Sequence, residues 1–189
     1  MHPEMPSTRP VVLGCVGAAA ALLLLVALAI FFVVFLESGA DDGQLELQHE
    51  AAYDEGSVSF VGERNIYLVR LDGDDFYALH DLDAANRSNA QRRCRVTPIP
   101  TNDPGLPALL DQHRAAMSPQ ARGSTLLFRE SCNNAVYDVT GLRLDDPSAP
   151  NLDRYPVAIR SNGRVVIDLT ERICTRRTPT GPFTPVPCP

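Results

Sequence analysis

The stretch VVLGCVGAAAALLLLVALAIFFVVFL, residues 11–36, contains no charged residue and no proline. A helix of 26 residues would rise about 39 Å at about 1.5 Å per residue, which exceeds the roughly 30 Å of bilayer hydrocarbon. The run therefore predicts a single transmembrane helix that crosses the membrane with some tilt.

The charges on the two sides of this run predict its orientation. Residues 1–10 carry Arg9 and one acid, Glu4, whereas the far side is acidic and has no basic residue before Arg64. Basic residues in short flanks favour the cytosolic side. We therefore expect a cytosolic tail over residues 1–10 and a type II single-pass protein on the route from the ER and Golgi to the plasma membrane. Its C-terminal part would be lumenal or extracellular.

A cleaved signal peptide is the alternative, because Ser38-Gly39-Ala40 resembles a cleavage site. The apolar run is longer than the roughly 7–15 residues of a signal h-region, which favours a retained signal anchor. Both alternatives deliver the C-terminal part to the secretory pathway. Asn86 begins the sequon Asn86-Arg87-Ser88 and is a predicted glycosylation site there.

Cysteine usage agrees with an oxidising compartment. One of the five cysteines lies in the apolar run, and the other four follow it: Cys94, Cys132, Cys174 and Cys188. Four cysteines predict two disulfides with three alternative connectivities. Pairing Cys174 with Cys188 would close a loop of about 15 residues, worth roughly 3 kcal/mol in the chain-entropy model, and would leave Cys94 to pair with Cys132.

Composition and motifs argue against several functional classes. A net charge of −6 disfavours nucleic acid or an anionic lipid surface as the main partner. The sequence lacks the nucleophile-elbow, P-loop, zincin and Cys-x-x-Cys motifs. We therefore predict a non-enzymatic protein without catalytic residues or a cofactor. Asp72-Gly73-Asp74-Asp75 lacks the register of a calcium loop, so no metal site is predicted either.

The part after the apolar run is long enough for one modest domain. Residues 37–56 are acidic and predict a solvated stalk, with a short helix over residues 45–52 as an alternative. Two hairpins are predicted, one around Asp72-Gly73 and one around Asn162-Gly163. Residues 106–117 have helical periodicity, and the proline-rich residues 178–189 predict no regular structure.

Three short motifs then resemble the BRICHOS family: Tyr77-Ala78-Leu79-His80-Asp81, Cys94-Arg95-Val96-Thr97-Pro98-Ile99 and Ser131-Cys132-Asn133-Asn134-Ala135-Val136-Tyr137. The order of tail, anchor, linker, domain and C-terminal segment is also similar to that of BRICHOS precursors. The resemblance implies an α+β fold, a small antiparallel sheet with one or two packed helices, over residues 57–141. Residues 142–189 would then form a C-terminal hairpin and a disulfide-bearing tail.

The resemblance also implies a chaperone-like role, in which the domain shields a β-prone segment of its own chain or of another client. The apolar run and the C-terminal hairpin are the candidate clients within the chain. The hairpin residues concerned are Val157, Ile159, Val165, Val166 and Ile167. Asp81 would be a pH-sensitive structural carboxylate. Two alternatives stay open: the hairpin is an ordinary packed element, or the protein is a tethered binding or adhesion ectodomain. Oligomerisation stays open as well.

Overall fold

The computed structural model describes residues 22–31, 43–73, 75–87 and 94–188. The chain divides into two compact units, Met1–Asp42 and Gly43–Pro189. In the first unit, residues 22–31 form a helix (α1) whose residues are all exposed.

The predicted transmembrane helix over residues 11–36 is corrected by this structure. Among the described residues, no helix has both the length and the apolar character needed to span a bilayer. That finding overturns the predicted bilayer partner, the type II anchor and the secretory-membrane location that followed from it. Residues 1–21 and 32–42, which include the predicted cytosolic tail, lie outside the described residues.

The second unit is built mainly from short antiparallel strands. Their bounds are β1 Gln44–His49, β2 Val58–Val61, β3 Ile66–Arg70, β4 Phe76–His80, β5 Val96–Pro98, β6 Phe128–Glu130, β7 Val136–Tyr137, β8 Arg154–Tyr155, β9 Val157–Ile159, β10 Arg164–Asp168, β11 Thr175–Thr178 and β12 Gly181–Pro185. The strands form sheet A (β1-β10-β9), sheet B (β2-β3-β4-β8), sheet C (β5-β6-β7) and sheet D (β11-β12). One helix, α2 (Leu106–His113), and the 3₁₀ turns Glu50–Ala52, Arg114–Ala116 and Pro119–Ala121 complete the described elements of this unit.

Sheet B is central because both of its faces are covered. Successive residues of a strand point to opposite faces. Accordingly, Ile66 and Leu68 pack in a core shared with sheet A, whereas Tyr67 and Val69 pack in a larger core with sheet C and α2. A strand covered on both sides has a nearly continuous apolar sequence. The segment Ile66–Arg70 has this character.

The larger core corrects the predicted α+β fold class. Its buried residues come from sheets B and C, from α2 and from the segment that follows β7, including Leu142, Leu144 and Leu152. The helix α2 has only eight residues. Residues 142–189 are thus an integral part of a mostly β unit rather than an appendage to a domain that ends at residue 141.

The C-terminal hairpin is a packed element of sheet A. Strand β10 pairs with β9 on one side and with β1 on the other. Val165 and Ile167 are fully buried against sheet B, and Val166 is also buried, while Val157 and Ile159 on β9 are half-buried. The hairpin is therefore an ordinary packed element, the alternative to a shielded client, and the chaperone-like function that the resemblance implied has no support in this structure.

Part of the predicted stalk is also a strand. Residues 44–49 form β1, which pairs with β10 from Gln44 opposite Asp168 to His49 opposite Arg164. Leu45 and Leu47 pack against the core between sheets A and B. Their spacing of two residues, with polar residues between them, is typical of a half-buried strand.

Candidate functional site

Two loops meet at one end of the second unit, and we call their meeting point the loop junction. It consists of residues 81–83 after β4, residues 94–95 before β5 and residues 130–133 at the β6–β7 turn. A disulfide joins Cys94 to Cys132. Beside it, the Ser131 N–H donates to the Arg95 carbonyl at 3.0 Å, and the Arg95 N–H donates to Ser131 Oγ at 3.1 Å. The junction is thus held by a covalent bond and two hydrogen bonds.

The Glu130 carboxylate fixes the turn between β6 and β7. Glu130 is fully buried. Its Oε1 accepts the Cys132 N–H at 2.8 Å, and its Oε2 accepts the Asn133 N–H at 2.5 Å. The next residue, Asn134, has a φ of +57°, a left-handed conformation that asparagine tolerates better than most residues. Both oxygens of this buried carboxylate are therefore committed to the backbone of the turn.

Asp81 lies directly after β4 and is fully buried. Its Oδ2 is 3.6 Å from Arg95 Nε, and its Oδ1 is 3.6 Å from His80 Nδ1. His80 Nδ1 also accepts the Leu82 N–H at 3.0 Å. Asp81 is thus buried beside the Arg95 guanidinium, and its role as a pH-sensitive structural carboxylate stays a prediction.

A chain of polar contacts leads from Asp83 towards the surface. The buried Asp83 accepts from the backbone and side-chain amides of Asn86, each at 2.9 Å. The Tyr137 hydroxyl donates a hydrogen bond to Asp83 Oδ2 at 3.4 Å and accepts one from Arg143 Nη1 at 3.3 Å. Arg143 in turn makes two hydrogen bonds to Asp145, at 3.0 and 3.1 Å. The amide of the predicted sequon is thus hydrogen-bonded to Asp83, and its glycosylation stays a prediction.

Burial and charge shift the acidities along this chain of contacts. Burial raises the pKa of the Tyr137 phenol, and the neighbouring Asp83 carboxylate adds to that effect while Arg143 opposes it. Burial also acts to raise the pKa of Asp145, but the hydrogen bonds from Arg143 and the Val136 N–H outweigh it and hold that pKa below its usual value. The Tyr137 phenol therefore keeps its proton at neutral pH, whereas the Asp145 carboxyl stays ionised there.

A buried ion pair lies near the junction. Asp153 is 2% exposed and contacts the guanidinium groups of Arg87 and Arg172, the second at 3.6 Å. Burial raises the pKa of the Asp153 carboxyl, although the two arginines act to lower it. Asp153 lines a recess of about 370 Å³ whose other walls include Cys174 and Pro187. Two guanidinium groups already contact this carboxylate, and the recess has a further, exposed cation in its wall, Arg176.

The second disulfide fastens the β11–β12 hairpin, although the sequence predicted no regular structure over residues 178–189. Cys174 is bonded to Cys188 across sheet D. The Asn151 amide donates to Thr175 Oγ1 at 3.0 Å and to the Pro182 carbonyl at 2.9 Å. These contacts fix the tail to the segment before β8.

One group of metal-ligating residues is present in the described part of the chain, namely Cys94, Glu130 and Cys132. The two sulfurs are consumed by a disulfide, and Glu130 is committed to backbone amides. Metal ligation by cysteine requires thiolates. The donor set therefore does not fit a metal ion.

A different feature lies between the edge strands of sheets A and B, and we call it the β1–β2 groove. It is open and has a volume of about 580 Å³. Its walls are Leu45, Glu46, Leu47, Gln48, Ala52, Tyr53, Ser59, Phe60, Val61, Gly62, Glu63 and Arg164. Phe60 is 47% exposed, and within described residues 43–188 no other large hydrophobic side chain is as exposed.

The sequence did not predict this groove. Phe60 belongs to a short strand, and nothing in its local pattern distinguishes an exposed aromatic residue from a buried one. The groove arises from the approach of β1 and β2, which are adjacent in sequence but belong to different sheets.

No family model and no curated protein matches the chain. Nothing in these comparisons indicates a BRICHOS domain. Among solved structures, the chain is similar to a provisionally assigned small subunit of an NADH-dependent nitrite reductase from Mycobacterium tuberculosis. The identity is 15% and the TM-score 0.35, over 66% of this chain and 92% of that one. A likeness at this level supports no transfer of fold or function.

Proposed function

We propose that residues 43–188 form a non-catalytic domain that binds another polypeptide. The observation that carries the proposal is Phe60, an aromatic side chain left half-exposed on an open groove. Apolar groups that stay in contact with water forgo the burial free energy of about 25 cal/mol per Å². An exposed aromatic residue beside a concave surface is therefore a candidate anchor for a partner.

The loop junction supports the non-catalytic part of the proposal. A catalytic acid or base needs a titratable group within hydrogen-bond reach of a substrate. Glu130 is fully buried, with both oxygens bonded to the backbone, and Asp83 is bonded to Asn86 and Tyr137. Cys94 and Cys132 are joined in a disulfide and offer no thiolate. These groups stabilise the loops and are not available to a substrate.

The proposal is tested by site-specific photo-crosslinking in the native host. A photoreactive benzoylphenylalanine replaces Phe60 in the full chain, and a matched variant carries it at the exposed Glu171, which is not part of the groove. We expect a discrete protein adduct from position 60 and none from position 171. If neither these two positions nor other exposed positions of residues 43–188 give an adduct, the binding function is wrong.

A further inference from the structure

The walls of the β1–β2 groove follow the edges of two strands. Residues 45–48 of β1 and residues 59–63, which include the end of β2, line it without interruption. Because successive side chains of a strand point to opposite faces, an uninterrupted run of residues along one groove means that the groove follows the strand's backbone edge. Among the described strands, β1 pairs only with β10 and β2 only with β3. The groove is therefore bordered by two edges that can accept an extended chain.

The two edges differ in regularity. The pairing of β1 with β10 has a register shift between Glu46 and His49, which marks a bulge. A bulge bends a strand and interrupts its ladder. The pairing of β2 with β3 is regular over four residues, from Val58 opposite Val69 to Val61 opposite Ile66. Strand β2 is thus the better template for an added strand.

Phe60 is supported from beneath by an aromatic series. Its ring centroid is 4.8 Å from that of Tyr67, which lies directly opposite it on β3. The Tyr67 ring centroid is in turn 5.3 Å from that of the fully buried Phe128. Ring pairs at these separations are favourable beyond the area that they bury. Phe60 is therefore the exposed end of an anchored stack, and an apolar side chain of a partner can pack on it at little cost in side-chain entropy.

The charges around β2 favour a basic partner. No lysine or arginine occurs in residues 43–63. Of the acids there, Glu46 is paired with Arg160 and Arg164. The exposed residues Asp54 and Glu55 precede β2, and the exposed residue Glu63 follows it. The cations nearby are Arg64, which follows Glu63 in sequence, Arg70, which donates to the Glu50 and Tyr53 carbonyls, and Arg164, which is paired with Glu46. Both ends of the β2 edge are therefore flanked by negative charge.

We propose that the β1–β2 groove binds an extended segment of a partner protein that has basic residues at both ends and an aromatic or large aliphatic residue at its centre. The segment adds to the free edge of β2, its central side chain packs on Phe60, and its basic ends lie near residues 54–55 and residue 63. This inference rests on the proposed function, since it specifies the partner of the same domain.

The test uses the full-length protein and labelled seven-residue peptides of alternating valine and threonine with phenylalanine at the centre. One peptide has arginine at both ends and the other has glutamate. Fluorescence anisotropy at low ionic strength should give at least tenfold tighter binding for the arginine peptide. Phe60→Ser should weaken that binding at least tenfold, and the Asp54→Lys, Glu63→Lys double variant should reverse the preference. Glu171→Lys, at an exposed position that does not line the groove, should change neither the affinity for the arginine peptide nor the preference over the glutamate peptide.

Strand addition makes a further demand on the arginine peptide. Every second amide of an added strand donates to the template. Methylating the alternate amides that face β2 should therefore abolish binding, whereas methylating the alternate amides that face away from β2 should not. Equal losses of affinity from methylating either set of amides would contradict strand addition and overturn the inference.

The two proposals fail in different ways. If a crosslink forms at position 60 but the arginine peptide does not bind, or binds no better than the glutamate peptide, the basic extended partner is wrong and the binding function stands. If no surface position gives a crosslink and neither peptide binds, both proposals are wrong.

Discussion

The loop junction and the β1–β2 groove use similar residues in opposite ways. At the junction, acidic side chains are buried and their oxygens accept hydrogen bonds from the chain itself, as Glu130 and Asp83 do. At the groove, acidic side chains flank the edge strand and an aromatic ring faces solvent. A buried carboxylate must be satisfied internally because desolvation is costly, whereas an exposed one remains free to attract a partner. The comparison separates residues that stabilise the fold from residues that are available for binding.

The largest expected effect comes from removing the disulfide of the junction. The bridge Cys94–Cys132 has a sequence separation of 38, against 14 for Cys174–Cys188. In the chain-entropy model these loops contribute about 4 and about 3 kcal/mol, respectively. The Cys94→Ser, Cys132→Ser double variant should therefore lose more free energy of unfolding than the Cys174→Ser, Cys188→Ser double variant, as measured by urea denaturation. A larger loss of unfolding free energy on removing Cys174–Cys188 would show that the Cys94–Cys132 bridge is not the stronger constraint.

A smaller effect is expected from Glu130→Gln. The amide that replaces one carboxylate oxygen cannot accept a backbone N–H, and hydrogen bonds to charged groups are worth about 1.5–3 kcal/mol each. We expect a loss of about 2 kcal/mol in the free energy of unfolding. Glu171→Gln, a matched change at an exposed position, should change it by less than about 0.5 kcal/mol. Peptide binding at the groove should be unaffected in both variants. A change in binding would show that the loop junction and the groove are energetically coupled.

Tyr137→Phe tests the polar chain within the junction, and its effect should depend on pH. At neutral pH the variant loses one hydroxyl with its hydrogen bonds, which costs about 1 kcal/mol. Burial raises the pKa of Tyr137 in the folded state, so the stability that this phenol contributes is fully present below its unfolded pKa of about 10 and is lost as the pH rises beyond it. The stability difference between wild type and variant should therefore shrink above about pH 10, as followed by chemical denaturation at each pH. A stability difference that stays constant from pH 7 to pH 11 would contradict a raised pKa of Tyr137 in the folded state.

Local sequence patterns predicted the hairpins but not the assembly. The Asp72-Gly73 and Asn162-Gly163 turns have glycines at φ +77°, and each connects an antiparallel strand pair. The short motifs around Asp81, Cys94 and Cys132 were interpreted through a resemblance to the BRICHOS family, which no comparison supports. Such motifs describe strand ends and turns, which recur in many β folds, and they do not determine which sheets pack together.

The apolar run and the β1 segment were misread for different reasons. The run was interpreted from its length and hydropathy alone, and the ten described helical residues within it do not form a helix that could span a bilayer. In the segment around Leu45 and Leu47, the high local acid content outweighed the alternation of apolar and polar residues. The pairing of β1 with β10 joins residues more than a hundred positions apart, a contact that no local window can reveal.

Phe60→Ser gives the sharpest contrast between the two regions, because it should weaken binding, which the substitutions at the junction should not. Phe60 is about half exposed, and its main packing partner is the Tyr67 ring at 4.8 Å. Aromatic pairs contribute about 0.5–1.5 kcal/mol beyond the area that they bury, and the buried half of the ring adds to this, so we expect a loss of about 1.5 kcal/mol in urea denaturation. The same substitution should weaken binding of the arginine peptide at least tenfold. A residue that affects binding strongly and stability weakly is one that the fold leaves for a partner, whereas a large loss of stability with unchanged binding would assign Phe60 to the core.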